Sequence, residues 1–416
     1  MELVHSSLSR ALFGLLLASI PIPGFFGAAV AADIAFVGAK IYPAPGGPPI
    51  ENGVIVVSGD KITSIGSAEQ ITIPENAKSI GVDGKVITAG LWNSHVHFNL
   101  PPLESIPDDV VTAYVRDMLL QYGFVHVLDT GSAPGVTQEV RRRVESGAML
   151  GPSILIAGGS LVPKGASPFY LRPNILPDAA QPDAVQAQIN LVQRLGGDGI
   201  KIYAGSIVSA TERSVDVVPM DVEVVTGVTT AAHDEGMFVI AHPSNITGAW
   251  AAINGGVDIL AHAFPQEDWD RSILTAMLER DVALIPTLKM WRIEGENFGQ
   301  LEAFIVRTTK LAQEQLNAFT NLGGQVLFGT DVGYITDFDP TDEYALMQKA
   351  GLSFAQILES LTTAPARRFG VADKTGRLEA GLDADLVVLE ADPAADITAF
   401  ASPALVIRRG ETIFER

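Results

Sequence analysis

Residues 196–205 read GGDGIKIYAG, and the fold turns on how Lys201 is read within them. Glycines bound a short apolar run whose β-branched Ile200 and Ile202 suit a buried strand. An ammonium between them is out of place. Burying an unpaired charge is costly, so Lys201 either points outward to water or serves something inside.

Working outward, comparable runs recur at 89–97 (AGLWNSHVH), 124–130 (FVHVLDT), 153–159 (SILIAGG), 237–243 (MFVIAHP), 257–263 (VDILAHA), 282–288 (VALIPTL) and 325–331 (QVLFGTD). Helical stretches at 181–195, 221–235, 268–280 and 300–322 separate several of them. Eight strands alternating with helices predict an α/β fold, a (β/α)8 TIM barrel over 89–375. The doubly wound alternative lacks its G-x-G-x-x-G after a first strand. Residues 33–88 and 376–416 hold short β-branched runs with Gly and Asp turns. They predict one small β-sandwich domain built from both chain ends.

The chain has 416 residues, 47% of them hydrophobic, enough to bury a large core. Its formal net charge of −20, with no basic stripe, argues against a nucleic-acid partner. It has no cysteine, which excludes disulfides and thiolate metal sites. Any transition metal must then be held by His, Asp, Glu or a modified side chain. At the N-terminus, Arg10, the apolar ALFGLLLASI, a Pro/Gly break and an A-x-A site at Ala29–Ala31 read as a signal peptide over 1–32. An uncleaved anchor is the rival reading. Cleavage predicts a periplasmic or secreted protein without membrane attachment.

Only seven histidines exist. His95 and His97 end the first barrel strand as H-x-H, and alternate strand residues share a face. His242 ends the fifth strand, His262 the sixth and Asp331 the eighth, with Lys201 at the end of the fourth. The C-terminal ends of barrel strands share one mouth, where catalytic residues collect. One strand-end histidine is unremarkable, but this set together predicts a metal site. His126 in the second strand reads as a packed core histidine, His233 as a helix-end surface residue, and His5 falls in the signal peptide.

On these residues the chain resembles the amidohydrolase superfamily, specifically its imidazolonepropionase-like, metal-dependent hydrolase branch. GKVITAGLWNSHVHF looks like that family's opening strand. GIKIY, VIAHP, ILAHA and FGTD match its later metal positions, and LTTAPARRFGVADKTGRLEAGLDADLVVLEADP resembles its return to the β-domain. The resemblance implies two divalent ions, with zinc the first expectation. It implies His95, His97 and Asp331 on the more buried ion and His242 and His262 on the more exposed one. It implies that Lys201 is carboxylated by CO2 to a bridging carbamate, which answers the puzzle of a buried ammonium. The implied reaction is hydrolysis of an amide-type C–N bond in a dipeptide, N-acyl amino acid or cyclic amide. A metal-activated hydroxide attacks, and Asp331 serves as general base and then acid.

The expected partner is a small-molecule substrate, with self-association into a homo-oligomer left open. Tyr203, Lys164, Tyr334 and Arg172 are candidate substrate contacts. Dipeptidase relatives often carry Gly-Gly-His after the third strand where this chain has KGAS, which weakens direct transfer of their specificity. Two alternatives stay open: a lactonase or phosphotriesterase on the same metals, and a non-catalytic binding protein that retains the fold.

Overall fold

Parallel strands Leu91–Val96, Phe124–Thr130, Ser153–Leu161, Gly199–Ile202, Phe238–Ala241, Ile259–Ala261 and Ala283–Ile285 lie side by side in chain order as one sheet. The computed structural model describes residues 33–101, 103, 106–171, 174–266 and 269–416. The expected signal peptide and Arg172 lie outside the described residues. The expected eighth strand is present as an extended segment rather than a regular strand. Its residues close the barrel through Leu284 N–H to the Gln325 carbonyl (3.0 Å), Leu327 N–H to the Leu284 carbonyl (2.9 Å) and Ser94 N–H to the Phe328 carbonyl (2.7 Å).

Leu128, Ile240, Ile259, Ile285 and Leu327 fill the barrel interior. Ile200 and Ile202 belong to the larger core between strands and helices. Helices Pro182–Arg194, Val222–Asp234, Arg271–Glu279 and Glu302–Asn321 follow the expected spans, each with an apolar face on that core. Among the described residues, no helix is long and apolar enough to cross a membrane. Periodicity did not predict the antiparallel hairpin Gly205–Ala210 with Val215–Pro219, which follows the fourth strand directly.

The two chain ends form one eight-stranded sheet. Strand Ile34–Ile41 pairs antiparallel with Ile50–Ser58 and parallel with Lys78–Gly81 and Val86–Ala89. Leu386–Leu389 joins antiparallel to Val86–Ala89. The sheet curls back, so that Ile62 N–H reaches the Leu382 carbonyl (3.0 Å) and Ala384 N–H the Asp60 carbonyl (2.8 Å). Its core holds Phe36, Ile55, Ile87, Leu386 and Val388.

Two glycines test the closure. A Cβ on Gly329 would lie 2.4 Å from Ile285 Cγ2 and 2.9 Å from His95 Cβ, whereas one on the exposed helical Gly227 meets nothing within 4 Å. Gly329→Ala is expected to destabilise by about 1–3 kcal/mol through overpacking. Gly227→Ala should stabilise by about 0.5–1 kcal/mol through helix propensity. Thermal or urea unfolding would read the opposite signs.

Candidate metal centre

Lys201 lies opposite Ile240 in the parallel register. Its neighbours Ile200 and Ile202 face the outer core, so alternation turns Lys201 inward. It is 2% exposed. A cavity of about 60 Å³ at the mouth is lined by Lys201 together with His95, His97, His242, His262 and Asp331. All six residues expected as ligands therefore converge from five strand ends.

Backbone hydrogen bonds fix most of this geometry. Asp331 N–H donates to the His95 carbonyl (2.9 Å), and His97 N–H to the Val332 carbonyl (2.8 Å). Asn93 binds across the same seam: its Nδ2 donates to Thr330 Oγ1 (2.8 Å), and its Oδ1 accepts from the N–H groups of Thr330 (3.2 Å) and His95 (3.3 Å). Asp331 Oδ1 lies 2.8 Å from His97 Nε2 and 3.3 Å from His95 Nε2, and Oδ2 lies 3.8 Å from His262 Nε2. The Nδ1 of His262 contacts Thr287 Oγ1 at 2.6 Å, leaving Nε2 for the cavity. His262, Asp331 and Thr287 all sit at positive φ, +77°, +62° and +44°. Each such non-glycine residue costs roughly 1–2 kcal/mol, strain typical of functional sites.

Burial sets the charge states. It pushes His95 down to about 4, and burial with the nearby Lys201 pushes His242 down to about 3. Burial and His242 hold His262 well below the ordinary range. These imidazoles are neutral near pH 7 and offer lone pairs. Burial lowers Lys201 to about 8, against the opposing pull of Asp331 and Asp129. Burial alone would raise Asp331, but His95 and His97 outweigh it and keep the carboxyl well below the usual range.

His95 Nδ1 and His242 Nε2 are buried with no hydrogen-bond partner. Such orphaned atoms are uncommon in a folded protein. Ligand atoms of His95, His262 and Asp331 lie within 4.8 Å of one another. Neutral imidazoles, an ionised carboxylate and unpartnered donor atoms fit a divalent cation.

Tyr203 and Tyr334 line the same cavity. Lys164 is exposed and is not among the lining residues. His126 is a packed core residue, stacked on Trp92 and 3.1 Å from Asp385. His233 is on the surface, 2.9 Å from Asp258. Sequence reading missed Asn93, Tyr170 and Glu294. Asn93, two residues before His95 on its strand, was within reach of the alternation argument. Tyr170 and Glu294, from a loop turn and a helix, carried no local signal.

A family model described as the amidohydrolase family matches residues 86–413. This chain is an amidohydrolase. The ochratoxinase of Aspergillus niger is 24% identical over 422 residues, covering 89% of this chain and 84% of that one. The crystal structure of a Xaa-Pro dipeptidase with bound methionine superposes with a TM-score of 0.79 at 22% identity, covering 92% of this chain and all (100%) of that one. The crystal structure of A. niger ochratoxinase gives a TM-score of 0.75 at 20% identity, covering 93% and 96%. These likenesses support the barrel with its terminal β-domain. As an amidohydrolase, the protein is a hydrolase acting on C–N bonds.

The lowered histidines predict an acid-sensitive apo fold. Unfolded histidine takes up a proton near pH 6.5, while folded His95 does so only near 4. The unfolded state thus binds more protons across that window, and stability falls as pH drops through it. Thermal unfolding of chelator-treated protein should show this slope, and His95→Asn with His242→Asn should flatten it.

Proposed function

We propose that this amidohydrolase is a metal-dependent hydrolase of small amides formed on amino acids, dipeptides or N-acyl amino acids, with Asp331 as its proton carrier. The observation that carries the reading is the convergence of four histidines, Asp331 and the sealed Lys201 on one cavity. His95, His97 and Asp331 would hold one divalent ion, His242 and His262 a second, with Lys201 between them. Zinc suits this nitrogen and oxygen set. When bound, such an ion supplies the positive charge that acidifies water and polarises a carbonyl.

Lys201 has to become an anion to take its place. With its pKa lowered to about 8, a sizeable fraction of the amine is neutral near pH 7.5. Nζ then attacks the carbon of CO2, a new N–C bond forms, one proton leaves to solvent, and a carbamate remains. The buried Asp331 carboxylate is ionised and close to the reaction centre. It accepts the proton of the attacking water and passes it to the leaving nitrogen as the C–N bond breaks. Tyr203, which lines the cavity beside His242 at a ring distance of 5.3 Å, would donate its O–H to the substrate carbonyl.

The name of one structural neighbour, a Xaa-Pro dipeptidase, supports a dipeptide among the substrates, and the amidohydrolase family supports an amide-type bond. The pattern over 1–32 supports export to the periplasm or medium.

Asp331→Asn is expected to reduce kcat/KM on dipeptide and N-acyl amino acid substrates by at least about 10³-fold. Activity within ten-fold of wild type would refute the proton-carrier role. Lys201→Ala should lose bound metal by elemental analysis, and millimolar propionate should restore part of both metal and activity. A panel that includes lactones and phosphotriesters tests the bond class, and faster turnover of those would overturn the amide reading.

A further inference from the structure

The cavity at the metal centre has a volume of about 60 Å³, room for a few waters and a reacting carbonyl but not for the groups flanking it. A second cavity of about 330 Å³, within the range of small-molecule sites, lies beyond one shared wall residue, Glu294, which lines both. Val215, Val217, Trp291, Phe298, Phe304 and Leu311 supply an apolar part of the second chamber's wall, which polar side chains such as Asn245, Gln266 and Thr308 complete. Phe298 packs against Phe169 and Tyr170 at ring distances of 5.1 and 6.2 Å, and Tyr170 lines the metal cavity. Glu294, Phe298 and Tyr170 thus form the partition between the chambers.

Glu294 is 6% exposed. Its Oε1 accepts the Tyr334 O–H at 2.9 Å, and among the described residues no side chain or backbone N–H donates to Oε2. Among the described residues, this buried carboxylate has no cationic partner.

We propose that Glu294 is a specificity-determining residue that binds a primary ammonium on the acyl side of the scissile bond, while the apolar part of the second chamber takes the side chain attached to it. The preferred substrate class is then an aminoacyl amide with a free α-amino group and a bulky hydrophobic side chain. This rests on the amide-hydrolase reading above and narrows it. The α-amino group of such a substrate is two bonds from the carbonyl carbon, matching a carboxylate at the junction of the two chambers. Burial, abetted by the negative Asp331, pushes Glu294 up to about 7 despite the Tyr334 hydrogen bond, so an ammonium would relieve an existing deficit. The net charge of −20 also favours the approach of cations. The exposed Arg307 lines the chamber as well and is the feature that would instead favour an anion.

Two measurements test the assignment. The first compares kcat/KM for phenylalanyl-alanine and N-acetyl-phenylalanyl-alanine. Wild type should favour the free amine by at least about ten-fold, the scale of one charge-assisted hydrogen bond, and Glu294→Gln should abolish that preference. The second uses calorimetry with 2-phenylethylamine and 3-phenylpropionate and needs no turnover. The amine should bind wild type, bind Glu294→Asp more weakly, and bind Glu294→Gln at least about ten-fold more weakly. Tighter binding of 3-phenylpropionate, or amine binding unchanged in Glu294→Gln, would overturn the assignment. If wild type cleaves neither peptide but binds the amine through Glu294, the hydrolase reading fails and the subsite stands. If it cleaves both equally and the amine does not bind, the subsite fails and the hydrolase reading stands.

Discussion

An ammonium sealed inside a barrel has to be answered by negative charge, and the mouth of this barrel is arranged around that constraint. Alternation in the fourth strand leaves Lys201 no outward path, because Ile200 and Ile202 occupy the outer core. The anions that pull against its loss of charge are Asp331 and Asp129. Asp331 is shared with His95 and His97, while Asp129 is spent on Phe98 N–H, Ser132 N–H and Thr137 Oγ1. Neither forms an ion pair with Lys201. A charge left so poorly compensated supports the carboxylation of Lys201 proposed above.

The backbone bears the cost of bringing the other groups into reach. A regular eighth strand would alternate its side chains in and out. Instead the chain leaves regular geometry at 325–332, turns Asp331 to positive φ, and still closes the barrel through bonds to the first strand. Gly333 permits the next step: a Cβ there would lie 1.8 Å from the His97 carbonyl oxygen. Strain at Asp331 and His262 is held by long-range bonds, Asn93 to Thr330 in one case and Thr287 to His262 in the other. The site depends on barrel closure as much as on the identity of its ligands.

This division explains what could be read in advance. The six convergent residues were legible because each ends a short apolar strand, and the barrel puts all strand ends on one face. Strand identity needs only local period and β-branching, so His95, His97, Lys201, His242, His262 and Asp331 were available from one dimension. Glu294 was not. It sits inside helix Leu288–Asn297 as one acidic residue of two, and only the packing of Tyr170, Phe298 and Tyr334 separates it from the solvent-exposed Glu296. The hairpin after Lys201 was likewise hidden, because Gly205 reads as the end of the run although the strand Gly205–Ala210 begins there. Residues whose role comes from tertiary enclosure leave little mark on local pattern.

Hydrogen-bond completeness separates chemistry from architecture more sharply than residue type does. The second strand carries His126 near its start, 3.1 Å from Asp385, so this pair resembles the His–Asp contacts at the mouth. Its surroundings differ. Thr375 Oγ1 donates to Asp385 Oδ2 (3.1 Å), Arg409 N–H donates to Oδ1 (2.8 Å), and Trp92 stacks on the imidazole. Asp385 and Arg409 belong to the terminal segment, so the pair ties the β-domain to the N-terminal face of the barrel, the face that serves stability. At the opposite face, His95 and His242 each retain a buried nitrogen without a partner. A histidine–aspartate pair completed by the terminal segment braces the fold, whereas imidazole nitrogens left without a partner at the mouth fit the metal ligation proposed above.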